Sequence, residues 1–188
     1  QARPSCPSSS PTSVTERVAP LHQEQGMLLK SSCDGLKDGG AGVTTYVDTS
    51  VLAAYYSPEP LSLVAERTVR NLTSPAISDL TLVEFASAIS RKVREKTLPR
   101  ESAARVMAQF EAHLEDGYYE VLSVKARDYR LAKSWLGQLQ GTLRTLDALH
   151  LAVVEAAGVS MVTADRRLAA EARNLGLAVK LLAIRSVE

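Results

Sequence analysis

From residue 44 onward the chain alternates short β-rich runs with longer stretches of helical period, and this alternation constrains the fold more than any other feature. Strands separated by helices do not pair as tight hairpins. Each crossover returns the chain to the same end of the sheet, which gives a parallel sheet covered on both faces. The first run is Thr44-Thr45-Tyr46-Val47, and Asp48-Thr49-Ser50 then supplies N-cap chemistry for a helix to about residue 55. Pro58 and Pro60 open a second helix, with Leu61, Val64, Ala65, Thr68, Val69 and Leu72 at helical spacing. A strand over residues 75–78 and a helix over about 80–96 follow. The next helix begins at Pro99, carries Ala103, Val106, Met107, Phe110 and Leu114 on one stripe, and closes at Gly117. Then come a strand over 118–124, a helix over about 126–139, a helix over 145–157 ended by Gly158, and a strand over 159–163. A helix over 165–175 and a last strand over 179–184 complete the pattern. Right-handed crossovers place the strand C-terminal ends, and with them Asp48 and Asp165, along one rim.

Residues 1–43 break with this pattern. They carry Pro4, Pro7, Pro11 and Pro20, a Ser8-Ser9-Ser10 run, and glycines at 39, 40 and 42, with no sustained period. The segment reads as a disordered or non-native N-terminal extension, one that follows from a start assigned too far upstream, with Met27 as an internal alternative. The folded domain is expected over residues 44–188. Both cysteines, Cys6 and Cys33, fall in the extension, which leaves neither a disulfide framework nor a zinc site and points to a reducing, cytoplasmic setting. The longest mainly apolar run, residues 149–164, is interrupted by His150, Glu155, Gly158 and Ser160 and divides into a helix and a strand, so no membrane span is expected. The N-terminus lacks the basic patch and apolar core of a signal peptide.

Four acids stand in largely apolar company at expected strand ends or helix starts: Asp48, Glu84, Asp147 and Asp165. Asp48 and Asp165 each have a plain role as helix caps. Asp147 suits a first helical turn, with Thr145 as cap. Glu84 is the anomaly, because it lines up with Leu80 and Ala88 beside an apolar stripe, where an unpaired carboxylate costs several kcal/mol. An ion pair with Arg91 or Lys92 is its structural explanation; a functional acid is the alternative. Together, four acids on one rim repel each other unless a cation holds them. A carboxylate cluster without cysteine or a histidine pair suits Mg²⁺ or Mn²⁺ better than zinc, and such a site can activate water against a phosphodiester. Clustering should also raise at least one carboxylate pKa. His150, three residues after Asp147, could support a metal ligand from behind, but a helix-face histidine without catalytic duty is the expectation, and His22 and His113 carry no signal. The net charge of +1 confines any basic surface to local groups: Arg91, Lys92, Arg94, Lys96 and Arg100, or Arg144, Arg166 and Arg167. A solvated helix face and phosphate binding both fit the first group.

The motifs Tyr46-Val47-Asp48-Thr49-Ser50-Val51-Leu52, Leu146-Asp147-Ala148-Leu149-His150-Leu151-Ala152 and Val162-Thr163-Ala164-Asp165-Arg166-Arg167-Leu168, with the Glu84 helix between them, resemble PIN-domain ribonucleases, specifically VapC toxins of toxin–antitoxin pairs. The resemblance implies a three-layer α/β/α fold around a central parallel sheet. It implies Mg²⁺- or Mn²⁺-dependent hydrolysis of RNA, often tRNA or rRNA, with Asp48 and Asp147 as principal metal ligands and Glu84 and Asp165 completing the shell. Ser50 and Thr163 would support that shell by hydrogen bonds. It further implies a homodimer silenced by a small VapB-like antitoxin. The long N-terminal extension departs from the family's early start.

Two rival enzymes fit less well. Arg144 and His150 fall at a spacing like the Arg-His motif of metal-independent HEPN ribonucleases, but those are helical proteins. A dehalogenase-like phosphatase would need a second Asp two positions after Asp48, where Ser50 stands. A catalytically inactive PIN-like scaffold that binds an antitoxin or RNA is the reading from a different class.

Overall fold

The computed structural model describes residues 43–138 and 142–183. Its elements follow the expected alternation: β1 (Thr44–Val47), α1 (Thr49–Tyr56), α2 (Ser62–Arg70), β2 (Ser74–Ser78), α3 (Asp79–Arg94), α4 (Arg100–Glu115), β3 (Glu120–Leu122), α5 (Ala126–Gly137), α6 (Thr145–Ala157), β4 (Ser160–Thr163), α7 (Arg166–Asn174) and β5 (Val179–Leu181). The strands form one parallel sheet in the order β3-β2-β1-β4-β5. The chain therefore moves outward from β1 in one direction through β2 and β3, then returns to the other side of β1 with β4. The boundary between β1 and β4 is the topological switch point, where open α/β sheets leave a crevice beyond the strand ends.

Successive strand residues face opposite sides of a sheet, and both sides here are apolar. Tyr46 and Met161 point to one face, where Leu151 and Val154 of α6 and Leu168 of α7 pack on them. Val47 and Val162 point to the other face, against Val51 and Leu52 of α1, Phe85 of α3 and Phe110 of α4. Helices on both faces make the three-layer α/β/α arrangement. From Ala148 to Val154 every residue of α6 is buried, because the helix is wedged between the sheet and α5. This stretch has no solvated face, so His150 within it must find polar partners in the protein, whereas Asp147, just ahead of it, is half-buried in a first turn that is otherwise exposed.

Most element bounds fall within a residue or two of the expectation, and the larger differences lie in β3, α5 and β5. β3 covers Glu120–Leu122 and not residues 118–124. Its start is held back because the Tyr118 N–H donates to the His113 carbonyl in the turn that closes α4 (2.9 Å), and its end because the Val124 N–H donates to Asp79 Oδ2 (3.2 Å) rather than to the sheet. α5 ends at Gly137, with the expected terminus at residue 139 outside the described residues, and β5 ends at Leu181, with residue 184 likewise outside. The N-cap of α6 is Arg144, without a side-chain bond, and not Thr145. The extension expected over residues 1–43 lies outside the described residues except for Val43.

Gly158 ends α6 in the left-handed region, at φ 66°. A Cβ there meets nothing within 4 Å, so a side chain would bring only the backbone cost of that region. Gly158→Ala is expected to lower the unfolding free energy by about 1 kcal/mol in urea titration, and an unchanged midpoint would contradict the strain.

Candidate active site

The crevice at the switch point is built from two turns that follow β1 and β4. Asp48 ends β1 and caps α1, its Oδ2 accepting from the Ser50 N–H (3.3 Å). The same oxygen accepts from the Ser50 hydroxyl and from Thr163 Oγ1 at 2.8 Å. Those hydroxyls also act as acceptors, Ser50 Oγ for the Ala164 N–H (2.9 Å) and Thr163 Oγ1 for the Asp165 N–H (3.0 Å). The two turns are thereby stapled around one carboxylate oxygen. Asp165 in turn caps α7, its Oδ1 accepting from the Arg167 and Leu168 N–H groups at 2.7 and 3.2 Å.

The other two acids come from helices on opposite sides of the sheet. Glu84, in the second turn of α3, accepts on Oε2 from Thr49 Oγ1 (2.7 Å) and is paired through that oxygen with His150 Nε2 (2.5 Å). Asp147 accepts on Oδ2 from Arg167 Nη2 at 3.4 Å. All four acids line one cleft of about 300 Å³, together with Thr49, Ser50, Ser87, Arg91 and His150. Each engages one oxygen in the protein; among the described residues the four remaining oxygens accept no hydrogen bond. No three of these side chains stand preset as a metal site among the described residues. The donor set nevertheless fits a hard divalent cation: four carboxylates line one cleft, each with an oxygen that accepts no hydrogen bond among the described residues, with no sulfur and with the cleft's imidazole already engaged through both nitrogens.

Electrostatics sort the acids. Burial pushes Asp147 above the ordinary carboxylate range; Arg167 opposes this, while Asp165 and Asp48 add to it. A raised carboxylate is the expectation from mutual repulsion; here burial is the main cause and the neighbouring acids only add to it. Burial also acts to raise Glu84, but the hydrogen bond and charge of His150 outweigh it, and Glu84 is held below its usual range. His150 is raised in turn: burial alone would lower it, and the hydrogen bond to Glu84 with the charges of Asp48, Glu84 and Asp147 reverses the sign.

Two expectations are corrected. Glu84 pairs with neither Arg91 nor Lys92; Lys92 reaches Glu59 at 2.7 Å instead. His150 is no idle helix-face residue: it is 2% exposed and bridges Tyr46 to Glu84. A signal was available, since a histidine within Ala148-Leu149-His150-Leu151-Ala152 must bury its ring, and a buried ring needs polar partners. Its burial and engagement also remove it as the exposed catalytic group that the Arg-His alternative requires. His113 likewise has a partner, the Tyr56 hydroxyl at 2.5 Å.

Fold and site together define a parallel α/β domain with an acidic cleft at its switch point. The PIN domain family model matches residues 45–174, and the chain belongs to the PIN domain family. Ribonuclease VapC3 of Pyrobaculum aerophilum is 28% identical over 123 residues, which cover 65% of this chain and 90% of that protein. Among solved structures, VapC20 of Mycobacterium tuberculosis, described as a Sarcin-Ricin loop cleaving toxin, matches with a TM-score of 0.56 at 20% identity, covering 68% of this chain and 94% of its own. VapBC2 of Rickettsia felis, solved on a DNA fragment from their promoter, matches with a TM-score of 0.54 at 17% identity, covering 74% of this chain and 99% of that one.

The Glu84–His150 pair sets a pH window. Glu84 has a lowered folded pKa, so its contribution is complete above the unfolded value of 4.5 and is lost as pH falls through the folded one. His150 has a raised folded pKa, so its contribution is complete below the unfolded value of 6.5 and is lost as pH rises through the folded one. In chelator, the unfolding free energy of the wild type minus that of Glu84→Gln should therefore peak between pH 4.5 and 6.5 and decline on both sides. A difference independent of pH would contradict the pairing. Asp147 has the opposite sign, because burial penalises its charge. Asp147→Asn should raise the melting temperature of metal-free protein at pH 8, and a lowered one would show that Arg167 outweighs burial.

Proposed function

We propose that this protein is a divalent-metal-dependent endoribonuclease of the VapC toxin type, which hydrolyses RNA phosphodiesters in tRNA or rRNA. The observation that carries the reading is the gathering of Asp48, Glu84, Asp147 and Asp165 in one cleft beyond the strand ends. Membership of the PIN domain family and the likeness to a ribonuclease VapC3 support it. The nuclease unit is residues 44–188. Asp48 and Asp147 would hold Mg²⁺ or Mn²⁺ as principal ligands, with Glu84 and Asp165 completing or orienting the set. When bound, the cation lowers the pKa of water and offsets charge developing on the phosphodiester.

The chain's own groups prepare the cleft for that chemistry. Ser50 and Thr163 fix Asp48 through one oxygen, which leaves Oδ1 free for a cation. Thr49 and His150 do the same for Glu84 and leave Oε1. Arg91 lines the cleft, and Arg167 has a buried Nε without a partner among the described residues and only a long bond to Asp147. Both guanidiniums would meet phosphate oxygens of an RNA laid across the acids. A VapB-like antitoxin and a homodimeric state belong to the same reading, in a cytoplasmic setting; no helix among the described residues is long and apolar enough to cross a membrane.

One observation favours a second reading, a catalytically inactive scaffold that binds an antitoxin or RNA: no three side chains are preset for a metal among the described residues. Incubation of total cellular RNA with the purified protein, in Mg²⁺ or Mn²⁺ and in chelator, separates the two. Discrete fragments that vanish in chelator are expected, and Asp48→Asn should cost more than the roughly 10–100-fold typical of losing an outer partner of a metal ligand. Cleavage untouched by chelator and by Asp48→Asn would overturn metal dependence. Absence of cleavage of any cellular RNA would favour the scaffold.

A further inference from the structure

Behind Glu84 lies a run of polar groups that no carboxylate needs for its own solvation. Ser78 and Thr81 form the capping box of α3: the Ser78 hydroxyl accepts from the Thr81 N–H, and Thr81 Oγ1 accepts from the Ser78 N–H at 3.2 Å. Both hydroxyls also lie against the phenol oxygen of Tyr46, at 2.7 and 2.9 Å. That phenol reaches His150 Nδ1 at 2.6 Å, and His150 Nε2 reaches Glu84 at 2.5 Å. Tyr46, Ser78 and Thr81 are fully buried, so each proton needs a protein acceptor. The two hydroxyls also lie 3.2 Å from each other, so more than one neutral arrangement gives every proton an acceptor, and one of them leaves Nε2 protonated toward the Glu84 carboxylate. In that one Ser78 and Thr81 donate to the phenol oxygen, which has two lone pairs; the phenol donates to Nδ1; and Nε2 then carries the proton that faces Glu84. In the imidazolium both nitrogens carry protons, and Nε2 still donates to Glu84.

We infer that Tyr46 and His150 are positioning residues, a buried strut that runs from the N-cap of α3 through β1 and α6 back to Glu84 in the second turn of α3 and fixes which oxygen Glu84 presents to the cleft. The inference rests on the nuclease reading for its consequence, but not for its geometry. Two donors, Thr49 Oγ1 and His150 Nε2, meet on the same Oε2. The half-buried carboxylate can neither rotate nor exchange its oxygens without breaking both bonds, so Oε1 stays the free oxygen. The Glu84 carboxylate favours the proton on Nε2, and the Tyr46 phenol, held by Ser78 and Thr81 and 2.6 Å from Nδ1, braces the ring from behind in that orientation.

The test compares wild type, His150→Gln, His150→Phe and Tyr46→Phe, each with and without Glu84→Gln, by Mn²⁺ calorimetry and by RNA cleavage. Loss of an outer partner of this kind costs about 10–100-fold in affinity or activity, and that loss is expected for His150→Phe. His150→Gln, which retains an N–H donor, should recover most of it, and Tyr46→Phe should fall between. In the Glu84→Gln background His150→Phe should add nothing. Wild-type Mn²⁺ affinity and cleavage in His150→Phe, or an equal loss with and without Glu84→Gln, would overturn the strut. Should the variants fail to fold, ¹⁵N NMR of the His150 ring in the metal-free wild type decides: a protonated Nε2 supports the strut, and an unprotonated Nε2 overturns it. If the wild type neither binds Mn²⁺ nor cleaves RNA, the nuclease reading falls, while the ring assignment still tests the strut.

Discussion

A single carboxylate oxygen, Asp48 Oδ2, ties together the two turns that diverge at the centre of the sheet. β1 and β4 are parallel, but the connections that follow them carry the chain to opposite sides of the sheet, and a crevice opens between the two turns. The hydroxyls of Ser50 and Thr163 close on that oxygen from both sides, and the backbone N–H groups of Ala164 and Asp165 close on the hydroxyls. Position of the second acid of the rim thus depends on the first. Removal of this oxygen would leave two hydroxyls seeking acceptors and loosen the turn that carries Asp165.

The remaining acids are held by different means, and the differences matter chemically. Glu84 is fixed by hydrogen bonds and a charge partner and stays ionised below its usual range. Asp147 faces mainly burial and neighbouring charge and is raised. A cleft that gathers carboxylates in this way works against folding stability in the absence of a cation, because buried like charges repel. Its upkeep falls on the apolar core: the buried stretch of α6 from Ala148 to Val154 and the alternation of Tyr46 and Val47 across the sheet supply the rigidity that the acids oppose.

Much of this was legible in the sequence, because its physics is local. Strand–helix alternation follows from period, Asp48 and Asp165 from capping chemistry after a strand, and Gly158 from the left-handed turn that it alone tolerates well. Glu84 was legible as an anomaly but not in its partner: its helix face implies depth, whereas the group across the gap belongs to α6. The same limit hid His150, whose neighbours Leu149 and Leu151 imply burial without naming Tyr46. The shortened β3 had a similar cause, since a side-chain acceptor on α3 takes an N–H that the local pattern assigns to a strand. Partner choice is a tertiary property, and periodicity does not encode it.

The most direct measurement of the central claim is anomalous diffraction from crystals grown with Mn²⁺. A peak in the cleft with carboxylate oxygens of Asp48 and Asp147 at about 2.1 Å, the distance at which a small hard cation binds oxygen, is the expected result. Full-occupancy Mn²⁺ elsewhere on the molecule, with that cleft empty, would contradict it.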